Sequence, residues 1–157
     1  MIKSLVLIGA VLSTGLLPST LSAAESAQSK TEASPSSEEG NGCRVYNKRI
    51  YGSVGVYLWK CDTVPGSHGP MYHAEAYTNP NSATFRAEVV QLRYRSNGQL
   101  IDSAFLSDGQ LGSDGLLYQQ TRRYYANPGE VQACARVWYK LPGGEPDGQE
   151  ELICAWE

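Results

Sequence analysis

Val90-Gln91-Leu92-Arg93-Tyr94-Arg95-Ser96-Asn97-Gly98-Gln99-Leu100-Ile101-Asp102-Ser103-Ala104-Phe105 reads as two alternating runs hinged on Asn97-Gly98. Asn and Gly both tolerate positive φ, which the two-residue type I′ turn demands at its central positions. Counting outward from such a turn pairs Arg95 with Leu100, Tyr94 with Ile101, Arg93 with Asp102, Leu92 with Ser103 and Val90 with Phe105. One face of the hairpin then carries Val90, Leu92, Tyr94, Ile101 and Phe105. The other sets Arg93 opposite Asp102 as an exposed pair of complementary charge.

The same grammar extends to the rest of the chain after Cys43. Segments rich in Val, Tyr, Trp, Thr and Phe are separated by clusters of Gly, Pro, Asn and Asp, and no stretch shows helical periodicity. Further strands are expected near Arg44 to Ile50, Val54 to Cys61, Met71 to Tyr77, Leu116 to Tyr125, Glu130 to Lys140 and Glu150 to Trp156. About eight strands at this spacing predict an all-β domain, either an antiparallel β-sandwich or a small barrel. The last run, Leu152-Ile153-Cys154-Ala155-Trp156, is apolar almost throughout, which reads as a central strand or one covered on both faces.

Four cysteines, at positions 43, 61, 134 and 154, all fall within this region. The closely spaced pairs of a zinc site are absent, so an even count in an exported chain points to two disulfides. Cys43 with Cys61 brackets a turn at Gly52. Cys134 with Cys154 brackets Leu141-Pro142-Gly143-Gly144-Glu145-Pro146-Asp147-Gly148. Facing positions on antiparallel strands bring Cβ atoms close enough to bridge. The rival, an inter-sheet bridge from Cys61 to Cys134 as in immunoglobulin domains, lacks its companions: no Trp follows Cys61 at the expected distance, and position 132 is Gln rather than Tyr.

Upstream, Lys3, the apolar stretch from Leu5 to Leu17 and the small residues Ser22-Ala23-Ala24 have the form of a secretory signal peptide over residues 1–24. The apolar run is short of the ~20 residues that span a bilayer and is interrupted by Ser13, Gly15 and Pro18. Residues 25–42, rich in Ser and Glu with no large apolar side chain, are expected to form a disordered leader. Residues 43–157 then make one secreted, extracellular domain, with no membrane insertion after cleavage. From Cys43 to Lys140 there are eleven Lys and Arg against seven Asp and Glu, and the remainder is acidic. Neither balance is steep enough to imply nucleic acid or a membrane surface as partner.

Chemistry-bearing patterns are sparse. His68 and His73 are the two histidines. On a strand over 71–77, His73 and Glu75 project from one face, as a base and its orienting carboxylate or, with His68, as part of a metal site for which no further ligand is clear. No GxSxG elbow or cofactor fingerprint occurs, so no cofactor is expected. Glu75, Glu88 and Asp102 supply strand-borne carboxylates for glycoside hydrolysis, at separations the sequence does not fix. Ser-Asp-Gly recurs at 107–109 and 113–115, without EF-hand spacing, and reads as two tight turns.

Tyrosine stands out: ten, against two Phe. On an alternating strand Tyr118, Gln120, Arg122 and Tyr124 share a face, and the candidate ligand-binding residues are Tyr72, Tyr118, Arg122, Tyr124 and Trp138. Tyr and Trp beside Gln and Arg suit a sugar ring or a protein surface. The expected function is a secreted binding or interaction module with a protein or carbohydrate ligand. The alternatives are a small secreted hydrolase using carboxylates or the His73/Glu75 pair, and a structural extracellular or envelope protein.

Overall fold

Period-two alternation, punctuated by turn residues, builds antiparallel strands from Cys43 to Ala155 in the computed structural model, which describes residues 42–62, 68–141 and 148–155. The strands are β1 (Cys43–Tyr51), β2 (Val54–Cys61), β3 (Met71–Thr78), β4 (Phe85–Tyr94), β5 (Leu100–Phe105), β6 (Gln110–Leu111), β7 (Leu117–Gln120), β8 (Tyr124–Tyr125), β9 (Val131–Tyr139) and β10 (Gln149–Ala155). One turn of 3-10 helix, Leu106–Asp108, follows β5. The segments expected to be a signal peptide and a leader, up to residue 41, and the tip of the loop before Gly148 lie outside the described residues.

Two sheets form. The first runs β1-β2-β3-β7-β6, with β8 also pairing β3; the second runs β10-β9-β4-β5. They stack as a sandwich, because each sheet has one face that is apolar at every second residue. Val54, Val56 and Leu58 of β2 with Tyr72, Ala74 and Ala76 of β3 meet Val90 and Leu92 of β4 and Ala133, Ala135 and Val137 of β9. Alanines on β3 and β9 alternate with larger side chains on their neighbours, which lets the two inner faces interdigitate.

Both disulfides join facing residues of an edge strand and its neighbour, in the pairing expected from the sequence. Cys43–Cys61 links β1 to β2 with Cα atoms 3.8 Å apart, and Cys134–Cys154 links β9 to β10 at 3.9 Å. By strand parity both point away from the sandwich core, since Val45/Trp59 and Arg136/Leu152 share their faces. β1 and β10 lie along the same side of the molecule, where Arg49 Nη1 donates to the Cys154 carbonyl at 3.4 Å.

Three sequence expectations need correction. The hairpin from β4 to β5 turns through four residues, Arg95 to Gly98, instead of two. Gly98 N–H donates to Tyr94 O, Tyr94 N–H to Gln99 O, and Arg95 N–H, on the opposite side of the strand, to Glu130 O. Gly98 supplies the left-handed φ of +69° that closes the loop. The register becomes Arg93↔Leu100, then Leu92↔Asp102 and Val89↔Phe105 after a bulge at Ile101. Val90 and Leu92 are buried as expected, but Phe105 is 58% exposed. Arg93 bonds Gln91 Oε1 and Gly98 O rather than Asp102.

The expected strand from Leu116 to Tyr125 is broken into β7 and β8. On β3, Tyr72 pairs Tyr124 and Glu75 pairs Gln120, so Thr121, Arg122 and Arg123 oppose only His73 and Ala74. Thr121 stitches this bulge to β3: its N–H donates to Ala74 O, and its Oγ1 accepts Ala74 N–H. The bulge throws Arg122 sideways onto Asp102 of β5. Its backbone N–H donates to Asp102 Oδ2 at 2.9 Å and its Nη2 to Oδ1 at 3.2 Å, which joins the two sheets on the side opposite the disulfides. Lastly, β10 is an edge strand and not a central one. Its apolar end is covered nonetheless, with Ile153 and Ala155 in the core and Cys154 in its disulfide.

Candidate functional site

The outward face of the first sheet is the unusual surface of this fold. In a sandwich that face meets water and is polar, but here β2 and β3 set Tyr57, Trp59, Cys61, His73, Glu75 and Tyr77 on it, all buried. Register places Trp59 beside His73, Tyr57 beside Glu75 and Gly55 beside Tyr77. The Trp59 and His73 rings stack in parallel, with centroids 5.9 Å apart and planes 4° from parallel. The Cys43–Cys61 bridge continues the row, with Cys61 Sγ 3.8 Å from His73 Nδ1. Gly55 is required where it stands, because a Cβ there would enter the Tyr77 ring lying over it. Tyr57, Tyr77 and Tyr118 then form a chain of rings across β2, β3 and β7 at centroid spacings of 5.9 and 5.7 Å.

At the Tyr118 end of this chain a cavity of about 170 Å³ opens, lined by Glu75, Asp108, Gln110, Tyr118, Gln119 and Gln120. Each wall has a local cause. Glu75 projects outward from β3 by alternation. Gln119 and Gln120 end β7, just before the Thr121 bulge. Gln110 belongs to β6, a two-residue strand that pairs Tyr118 inside the Ser-Asp-Gly repeat. Asp108 closes the 3-10 turn.

The repeat itself is built of turns: Asp114 Oδ1 accepts Leu116 N–H, and Gly115 adopts a φ of +79°. Asp114 Oδ2 accepts the Tyr118 hydroxyl at 2.6 Å. Partial burial raises the Tyr118 pKa, and that bond, with the neighbouring carboxylate charge, raises it further, so the hydroxyl stays protonated as a donor. Burial pushes the Asp114 carboxyl up, but the Tyr118 hydroxyl and Leu116 N–H outweigh it and hold the carboxyl below its ordinary value.

Of the five candidate ligand-binding residues expected from sequence, Tyr118 alone lines this cavity, joined there by Glu75 of the His73/Glu75 pair and by Gln120. Tyr72 points inward, fully buried, with its ring edge-on to Tyr46 at 5.7 Å. Burial first, then the neighbouring Tyr46, raise its pKa. Arg122 and Tyr124 do meet, the guanidinium lying 5.9 Å from the ring centroid, but on the bulge rather than on a shared strand face. Trp138 is on the outward face of the second sheet, under the Arg86 guanidinium at 4.8 Å and against Gly148. His73 and Glu75 share a face as alternation requires, and His68 lies in the exposed bend before β3. Among the described residues no three His, Cys, Asp or Glu side chains converge as metal ligands.

Sequence reasoning missed Tyr57, Tyr77, Gln110, Gln119 and Asp108. Tyr77 was within reach, since it follows Glu75 at the next same-face position. Gln110 was not, because a strand of two residues has no period to detect.

The cavity is lined by two carboxylates, of which Glu75 is almost wholly buried, by three carboxamides and by one aromatic ring, with no cation among the described residues of its lining. The His73 imidazole is stacked and fully buried, out of reach of a substrate in that cavity. The chain matches no family model, no curated protein and no solved structure.

Proposed function

We propose that this chain is an exported binding module whose ligand is a glycan, held at the cavity beside Tyr118. The observation that carries the reading is the composition of the lining. Carboxylates and carboxamides together satisfy neighbouring hydroxyls, which donate and accept at once, while a tyrosine ring packs against the apolar face of a pyranose. A cavity of about 170 Å³ suits one ring of such a ligand rather than a protein side. Two disulfides, and the lack among the described residues of any helix long and apolar enough to cross a membrane, are consistent with an exported protein.

Binding is favoured over hydrolysis by His73, which is buried in its stack with Trp59. The test is a glycan array probed with the oxidised protein, followed by titration of each hit against the Tyr118→Ala and Gln120→Ala variants. The expected result is a hit whose affinity falls at least about tenfold in both variants, as loss of a stacking ring or a paired hydrogen bond predicts. An array without hits, or hits indifferent to both changes, rejects the reading. Release of new reducing ends from the bound glycan would replace it with the hydrolase.

A further inference from the structure

A second cavity, about 380 Å³, lies across the 3-10 turn from the first, where β5 has ended and the side of β4 away from β9, from Phe85 to Glu88, has no strand beside it among the described residues. Leu106 and Ser107 of the turn form one wall; Asp108 of the same turn faces the other cavity. Its lining differs in kind. Ala87, Leu106, Leu117 and the exposed Phe105 make an apolar floor, and Arg86, Glu88 and Arg136 enter from the second sheet, two positive charges against one negative.

Each guanidinium has one protein carboxylate at ion-pair distance, and the Arg86 and Arg136 side chains are otherwise 44% and 40% exposed. Arg86 Nη2 is 3.7 Å from Glu88 Oε1 and Arg136 Nε is 3.8 Å from Glu150 Oε2, ion-pair separations too long for hydrogen bonds. Arg136 Nε is moreover buried, with no hydrogen-bond partner. A buried donor left open is costly unless something completes it. The Arg86 guanidinium also lies over the Trp138 ring, 4.8 Å from its centroid, a cation–π contact that helps to hold it at the cavity.

We infer that this cavity binds a small carboxylic acid with an apolar body, its carboxylate received by Arg86 and Arg136 and its hydrocarbon resting on Phe105, Leu106 and Leu117. Arginine is the side chain whose geometry matches a carboxylate with two parallel bonds. The apolar floor argues against a bare inorganic anion, and the guanidiniums argue against a neutral ligand. The inference stands independently of the glycan reading, since no residue is shared between the two linings.

The test is titration of the oxidised full chain, isotopically labelled, with sodium hexanoate and separately with hexanamide, followed through backbone amide shifts. Hexanoate should produce saturable shifts centred on Leu106, Ser107 and Leu117, with hexanamide weaker by about tenfold or more. Arg136→Gln and Arg86→Gln should each abolish that preference while leaving amide shifts remote from the cavity in place. Equal binding of acid and amide, shifts confined elsewhere, no saturable shift, or a preference that survives both substitutions would overturn the inference.

Discussion

Along one side of the sandwich the edge strands β1 and β10 are fastened to β2 and β9 by Cys43–Cys61 and Cys134–Cys154. Along the other, β5 meets the bulge between β7 and β8 through Asp102 and Arg122. The first closure is covalent and works strand by strand within each sheet. The second is electrostatic and spans the sheets. Arg122 is 80% exposed by side chain and Asp102 only 13%, so the carboxylate is the shielded partner and the guanidinium swings from solvent. An edge strand leaves a row of backbone groups unpaired, and this molecule protects its edges with two devices of very different strength and pH response.

The largest test removes a clamp. Replacing Cys134 and Cys154 together by Ser should cost about 3 kcal/mol, the chain-entropy value for a loop of this size, read from the denaturant midpoint under non-reducing conditions. A loss under about 1 kcal/mol would mean that β10 is held by packing of Ile153 and Ala155 alone. On the opposite side, Asp102→Ala removes the acceptor of three bonds from Arg122, and the expected loss is about 1 kcal/mol. A cost equal to that of the disulfide would erase the distinction between the two sides.

The pH response separates them further. Burial pushes the Asp102 carboxyl up, but the Arg122 side chain, its N–H and charge, and the Ser103 N–H outweigh this and hold it below its ordinary 3.8. A depressed folded-state pKa gives stability that is complete above the unfolded value and lost as pH falls through the folded one. Stability of the native chain should therefore drop more steeply below pH 3.8 than that of Asp102→Asn. Parallel curves would show that the ion pair adds nothing in solution. The smallest effect is expected for Arg49→Ala, whose bond to the Cys154 carbonyl is long. Beside two disulfides it should move stability by no more than about 0.5 kcal/mol.

Sequence and fold agree wherever a local rule governs. Gly and Asn between alternating runs marked the strands, and Val54–Cys61 emerges with the limits expected for it. The cysteine pairing followed from brackets around turns, and strand alternation put His73 and Glu75 on one face. Disagreement begins where a distant partner decides. Ile101 is bulged immediately before Asp102, whose carboxylate is bound by Arg122 beyond β7. Thr121 to Arg123 bulge because Thr121 finds Ala74 and Arg122 finds Asp102, contacts 47 and 20 residues away. The cavity beside Tyr118 was hidden for the same reason: its walls come from β3, the 3-10 turn, β6 and β7, and no single window of sequence contains them.

The placement of the clamps also has a mechanical meaning. Cys43 is the first residue of β1 and Cys154 is the penultimate residue of β10, so tension arriving along the chain from either direction meets a covalent bond at once. Neither edge strand can be peeled from its neighbour one hydrogen bond at a time, because the bond that peeling must break first is a disulfide. The load passes instead into β2 and β9, interior strands whose ladders are flanked on both sides. A domain wired this way should hold its shape while tethered and pulled, and should yield readily once reduced.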